Sequence, residues 1–164
     1  MTTSASLRIP KRLEQVVLQV HPEGRVVGFL FVSPQSDHYP AGETPLDIFN
    51  SATPFVVLRR EAPDEVRFYN KSSIIRVECE PHITAELEDA EPLYCRLQMM
   101  DGTLISGKIR RHLHPDYARL SDYLNLFDER FAEVFTDDGK RWFVNKSYIV
   151  YVTPLDEQGQ PCVY

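Results

Sequence analysis

Two short polar signatures recur in this chain, and any repeated chemistry has to pass through them. Asp47-Ile48-Phe49-Asn50 and Asn70-Lys71-Ser72 return 75 residues later as Asp122-Tyr123-Leu124-Asn125 and Asn145-Lys146-Ser147. A ligand-contact reading and a scaffold reading both fit these residue types, and the scaffold reading has the more specific physics. Asp47 and Asp122 suit the capping of backbone N–H groups, and Asn50 and Asn125 suit the end of a helical turn in a left-handed conformation. Asn70-Lys71 and Asn145-Lys146 fall between two strands, where Asn supports a turn by bonding its own backbone.

The densest cationic stretch is Lys108, Arg110 and Arg111, with His112 and His114 beside it and Arg119 following. Strand alternation places Lys108 and Arg110 on one face and Ile109 on the other. Such a face would bind phosphate or an acidic protein surface, and a solvated strand face is the alternative. His112, His114 and Asp116 alternate as strand ligands would, yet a metal needs three or four convergent donors, no Cys lies near and Pro115 interrupts them. No metal or cofactor is expected. Catalysis is not expected either, since the chain has no glycine-framed serine, phosphate-cradling loop or His-Glu-x-x-His spacing. Trp142, Phe143, Tyr148 and Tyr151 have the flat faces that stack bases, but at strand positions they read first as core.

These positions sit within a repeated order of elements. Residues 15–20 and 26–33 are β-branched and aromatic runs around a Pro/Gly turn, and 93–100 and 103–113 flank Asp101-Gly102, a strong hairpin signal. Gly28 and Gly107 interrupt the second strand of each pair, as at a bulge or sharp bend. A polar loop then leads to the Asp-to-Asn segment, where Pro45, Ser121 and Asp122 predict a short helical turn, with Ser121 or Asp122 as N-cap. Strands follow at 55–60 and 131–136, at 66–69 and 141–144, and at 74–78 and 148–153. Recurrence at a fixed period marks a repeated supersecondary unit. The expected fold is mainly β, two tandem small five-stranded, partly open barrels, each with a short helical turn.

The expected boundaries are a basic arm at 1–13, a first repeat at 14–78, an acidic linker at 79–92, a second repeat at 93–154 and a polar tail at 155–164. The linker reads as either a short helix or an extended tether. The net charge of −6 is concentrated there, with six acids and no Lys or Arg over residues 78–91. The arm carries Arg8, Lys11 and Arg12 but no apolar segment, so it does not read as a signal peptide. No apolar run approaches the roughly 18 residues that cross a bilayer, so no membrane is expected. Cys79, Cys95 and Cys162 are too few and too scattered for a disulfide framework or a zinc knuckle, which fits a reducing cytoplasm.

The order of a Gly-bent hairpin, a variable loop, an Asp-to-Asn turn and closing strands resembles the Sm-like small barrel. Arg119-Leu120-Ser121-Asp122-Tyr123-Leu124-Asn125, with Phe131 and Val144-Asn145-Lys146-Ser147-Tyr148-Ile149-Val150, is similar to a group of uncharacterised bacterial domains. Their pattern is R-x-SD-apolar-x-N followed by NK-x-x-I. The resemblance covers the second unit, and Thr44-Pro45-Leu46 departs from it in the first. It implies a bacterial, cytoplasmic setting and no particular activity. The chain lacks the closing Arg-Gly step and the basic surplus of Sm-like RNA-binding rings, and it lacks the paired arginines and serine strand of the small barrels that bind cyclic di-GMP. The expectation is a non-enzymatic adaptor that binds another protein through exposed strand edges, its two copies related by a pseudo-twofold axis. A homo-oligomer is compatible with this. The alternative is a nucleic-acid or nucleotide-binding module using Lys108, Arg110, Arg111 and Arg119.

Overall fold

In a computed structural model, residues 11–34, 40, 42–79, 89–112 and 119–163 are described. The first ten residues of the basic arm, most of the first polar loop, linker residues 80–88, and His114 with Asp116 lie outside them. The β-branched runs form ten strands: β1 (Arg12–Val20), β2 (Gly24–Val32), β3 (Phe55–Glu61), β4 (Asp64–Asn70), β5 (Ile74–Cys79), β6 (Pro92–Met99), β7 (Leu104–Arg110), β8 (Phe131–Thr136), β9 (Arg141–Asn145) and β10 (Ile149–Pro154). Two short helices, α1 (Pro45–Asn50) and α2 (Leu120–Leu124), precede β3 and β8. Single 3-10 turns at Lys71–Ser73 and Lys146–Tyr148 precede β5 and β10.

All ten strands belong to one open antiparallel sheet, ordered β10-β6-β7-β8-β9-β5-β1-β2-β3-β4. The two halves are therefore continuous, and the junction is β5 against β9, with Val77 opposite Phe143 and Glu78 opposite Trp142. Within each half the fifth strand lies beside the first and the fourth lies at the far side. The junction thus joins the fifth strand of one half to the fourth strand of the other. A two-fold relation would join like strands, so the expected pseudo-twofold is replaced by a head-to-tail arrangement.

Alternate side chains of β1 and β2 point inward, as a period of two requires. Val16, Leu18, Val20, Val26, Leu30 and Val32 join Phe49 from α1 in the first core. That core also contains Phe131 and Phe143 from the second half. Phe49 meets them at ring-centroid distances of 5.3 Å and 6.2 Å. Each such fully buried aromatic contributes roughly 1.5–3 kcal/mol, so the first core depends on the second half. In return Ile75 of β5 lies in the second core with Leu97, Ile109, Tyr123 and Val144.

Gly28 and Gly107 mark close strand approach, and the expected bulge is absent at both: Val16–Gly28 and Cys95–Gly107 are regular ladder pairs. A Cβ on Gly28 would lie 2.8 Å from the Arg59 carbonyl oxygen, and one on Gly107 would collide with the Phe135 carbonyl. The register shifts fall elsewhere, at Ile75 between β1 and β5 and at Val150 between β6 and β10. The helical turns are present with a different cap. Thr44 is the N-cap of α1, accepting from Asp47 N–H while Asp47 Oδ2 accepts from Thr44 N–H at 2.8 Å. In α2 the N-cap position is Arg119, whose N–H donates to Asp122 Oδ2, rather than Ser121 or Asp122. A carboxylate three residues into the helix reaches back to the free N–H, so Asp serves from inside the first turn.

Candidate functional site

Each recurrent polar residue has a definite partner in the structure. Asn70 and Asn145 Oδ1 accept from Ser72 and Ser147 N–H at 2.9 Å and 3.0 Å, capping the 3-10 turns as the spacing predicts. Lys71 is fully buried and its Nζ donates to Ser51 O, Ser51 Oγ and Thr53 Oγ1, which fastens the end of α1 to the strand layer. Lys146 does the same for α2 through Tyr123 O and Leu126 O, with its ammonium 4.7 Å from the Tyr123 ring centre. Burial, with help from Arg130, lowers the Lys71 pKa to about 8. Burial lowers Lys146 as well. Asn50 and Asn125 do not adopt the left-handed conformation, since positive φ among the described residues is confined to glycine. Asn50 instead clamps Phe131 across the junction, accepting from its N–H at 2.7 Å and donating to its carbonyl at 3.1 Å. Asn125 turns back to Ser121 O.

The basic residues do not act as one group. Lys108 and Arg110 share the half-buried face of β7 and Ile109 is buried, as alternation predicts. Arg110 reaches the Ala90 carbonyl at 3.4 Å. Arg111 is ion-paired with Glu129 and lies 5.8 Å from the Tyr123 ring centre. Arg119 lines an open groove with Glu91, Tyr94, Asp156 and Glu157. Three carboxylates around one guanidinium make that groove unfavourable for a polyanion. Among the described residues no cluster of His, Cys, Asp or Glu has the geometry of a metal site, and His112 is the one member of the alternating trio they include. Cys79 and Cys95 are both pushed up to about 12 by burial, which leaves them poor nucleophiles.

The surface the sequence pointed to only in outline is the pair of sheet edges, β4 and β10, which no strand pairs among the described residues. On and beside β4, Phe55, Val57, Val66 and Phe68 are exposed, Phe68 by 69%. On β10, Val150 and Tyr151 are exposed, Val150 by 58%. Unpaired backbone beside exposed large apolar side chains is a template for another strand. Arg67 on β4 is ion-paired with Glu65 on the same strand and with Glu23 of the β1–β2 turn. At its far end β10 is closed: Pro154 has no N–H, and the tail's Cys162 N–H donates to the Pro154 carbonyl at 2.9 Å. Of the four aromatic residues noted in the second half, Phe143 lies in the first core, Trp142 and Tyr148 are partly buried against the second core, and Tyr151 is exposed.

Neither a family model, nor a curated protein, nor a solved structure matches the chain.

Proposed function

We propose that this chain is a non-enzymatic interaction module of a bacterial cytoplasm, built from two copies of a small, five-stranded, Sm-like bent sheet fused head to tail. The observation that carries this reading is the pair of edges, unpaired among the described residues, with exposed Phe55, Phe68, Val150 and Tyr151. The duplication is supported by like roles at like positions: Asn70 with Asn145, Lys71 with Lys146, and Gly28 with Gly107. Binding then proceeds by strand addition, in which main-chain hydrogen bonds give affinity and alternate side chains give selectivity.

The test is recovery of partners on tagged protein from a bacterial lysate, with and without nuclease. A discrete protein retained after nuclease and lost from Phe68→Glu or Val150→Glu is the expected result. Turnover of a substrate, abolished by substitution of Arg119 or another polar groove residue, would overturn the reading. A nucleic-acid module is the second reading, favoured by Lys108 and Arg110 on one strand face. It requires salt-sensitive binding that weakens on joint neutralisation of Lys108, Arg110 and Arg111.

A further inference from the structure

The junction inside the chain specifies what the open edges fit. Strand register defines the counterparts: Phe55 pairs with Asn70 as Phe131 pairs with Asn145, and Val57 pairs with Phe68 as Glu133 pairs with Phe143. On the other side Leu18 faces Val77 as Leu97 faces Val152, and the register shifts fall at Ile75 and Val150 alike. Across the junction Phe131, Phe143 and Asn145 are fully buried, and Ile75 is 4% exposed. Their counterparts at the two ends of the sheet, Phe55, Phe68, Asn70 and Val150, are all exposed. The aromatic, asparagine and register features of the junction therefore recur uncovered at the ends of the sheet, while its polar contacts do not: Arg76, Glu78 and Trp142 are replaced there by Tyr151, Thr153 and Arg67.

The asparagine positions repeat in the same way. At the junction the Asn145 amide donates to Lys71 O and Ile74 O, and Asn50 clamps the backbone of Phe131. At the ends Asn70 and Asn125 stand in those positions, both exposed, with Asn125 bonded back into its own helix. Leu124, the counterpart of Phe49, is only partly buried. No two-fold contact would satisfy both sets, because each edge complements the other and not itself.

We propose that a second copy of this chain occupies these edges, β10 of one copy pairing antiparallel with β4 of the next and repeating the β5–β9 junction. This rests on the edge-binding reading above and names its partner. By that register Val152 lies opposite Phe68 and Tyr151 opposite Tyr69, Phe55 and Phe68 pack on Leu124, and Val150 enters the core beside β4. The pairing ends at Thr153, since Pro154 and the tail close the strand. Repetition of one head-to-tail contact yields a ring if the rotation closes and a filament if it does not.

The experiment is sedimentation velocity with light scattering on the purified full-length chain, wild type and two edge variants, across the micromolar range. Wild type is expected to form species larger than the 19.0 kDa chain. Phe68→Glu blocks the β4 edge and Val150→Glu the β10 edge, each weakening association about 30-fold or more, the effect of losing a buried apolar anchor. Both positions are solvent-exposed in the single chain, so each variant keeps wild-type cooperative unfolding. Mixed together, the two variants retain one intact pair of edges and form a 1:1 dimer of twice the chain mass, although neither assembles alone. A wild type that stays monomeric overturns the proposal, as does association indifferent to both substitutions or a mixture that remains monomeric. If the monomeric protein still recovers a different partner from lysate through Phe68 and Val150, the edge-binding reading survives and only the identity of the occupant fails.

Discussion

At the scale of single residues, the recurrent polar positions are spent on holding short helices and turns in place. Lys71 is the clearest case, an ammonium enclosed by three oxygen acceptors and none of them a carboxylate. Its pKa falls from 10.5 to about 8 because burial disfavours the charge and Arg130 repels it. Between those values the unfolded chain binds more protons than the folded one, so rising pH favours folding over that window and the strain is fully present below it. Lys71→Met removes this term and leaves the acceptors unpaired, a cost of about 1–3 kcal/mol. Denaturation midpoints of wild type and variant, compared from pH 7.5 upward, should show the wild-type advantage widening between pH 8 and 10.5. The buried thiols Cys79 and Cys95 act in the opposite direction, but they are common to both proteins and cancel in the difference. The identity of these residues was legible in the sequence. That Lys71 is buried and Lys146 partly so was not, because helix-end carbonyls acquire their partner only when the 3-10 turn folds beneath them.

At the scale of elements, the strands, the two hairpins and the helical turns follow from local chemistry, and their bounds agree to within a few residues. The departures lie where an element's environment comes from outside it. Gly107 was readable as a bulge or sharp bend; the ladder there has no bulge, and the glycine is required by the close approach of the Phe135 carbonyl on neighbouring β8. Gly107→Ala should destabilise by roughly 1–3 kcal/mol through overpacking against backbone that cannot yield. Gly102→Ala meets no atom within 4 Å but sits at φ +90°, and backbone strain of this kind is of order 1–3 kcal/mol. Urea denaturation measures both costs, and truncation of Leu58 is not expected to rescue the matching Gly28→Ala, because the Arg59 carbonyl oxygen also lies 2.8 Å from the added Cβ. The two asparagines of the 3-10 turns look alike in sequence yet should behave differently. Asn145 serves the junction with two donated bonds in addition to its cap, whereas Asn70 makes the cap alone. Asn145→Ala is expected to cost about 1–3 kcal/mol by leaving buried carbonyls unpaired, and Asn70→Ala about 0.5–1 kcal/mol as the loss of an exposed cap, measured in the same denaturant series.

At the scale of the whole molecule, the continuous sheet makes the halves interdependent. Phe131 and Phe143 complete the first core and Ile75 completes the second. A fragment ending at Cys79 should therefore lack cooperative thermal unfolding and bind an apolar dye, while the full chain unfolds in one transition followed by calorimetry. Two independent transitions in the full chain would contradict this. The sequence by itself determined the strand content, the hairpin turns and the Asn caps of the 3-10 turns, because each depends on residues close together along the chain, and the 75-residue recurrence of the polar signatures is read from it directly. Tertiary structure alone decided that the fifth strand of one half meets the fourth of the other, and hence which of two equivalent residues is buried. Phe68 and Phe143 are the same residue type in the same strand position, and the sole difference is whether a neighbouring strand covers them. That depends on which edges meet in space, and hydrophobic periodicity, which reports only that a face is apolar, carries no information about it.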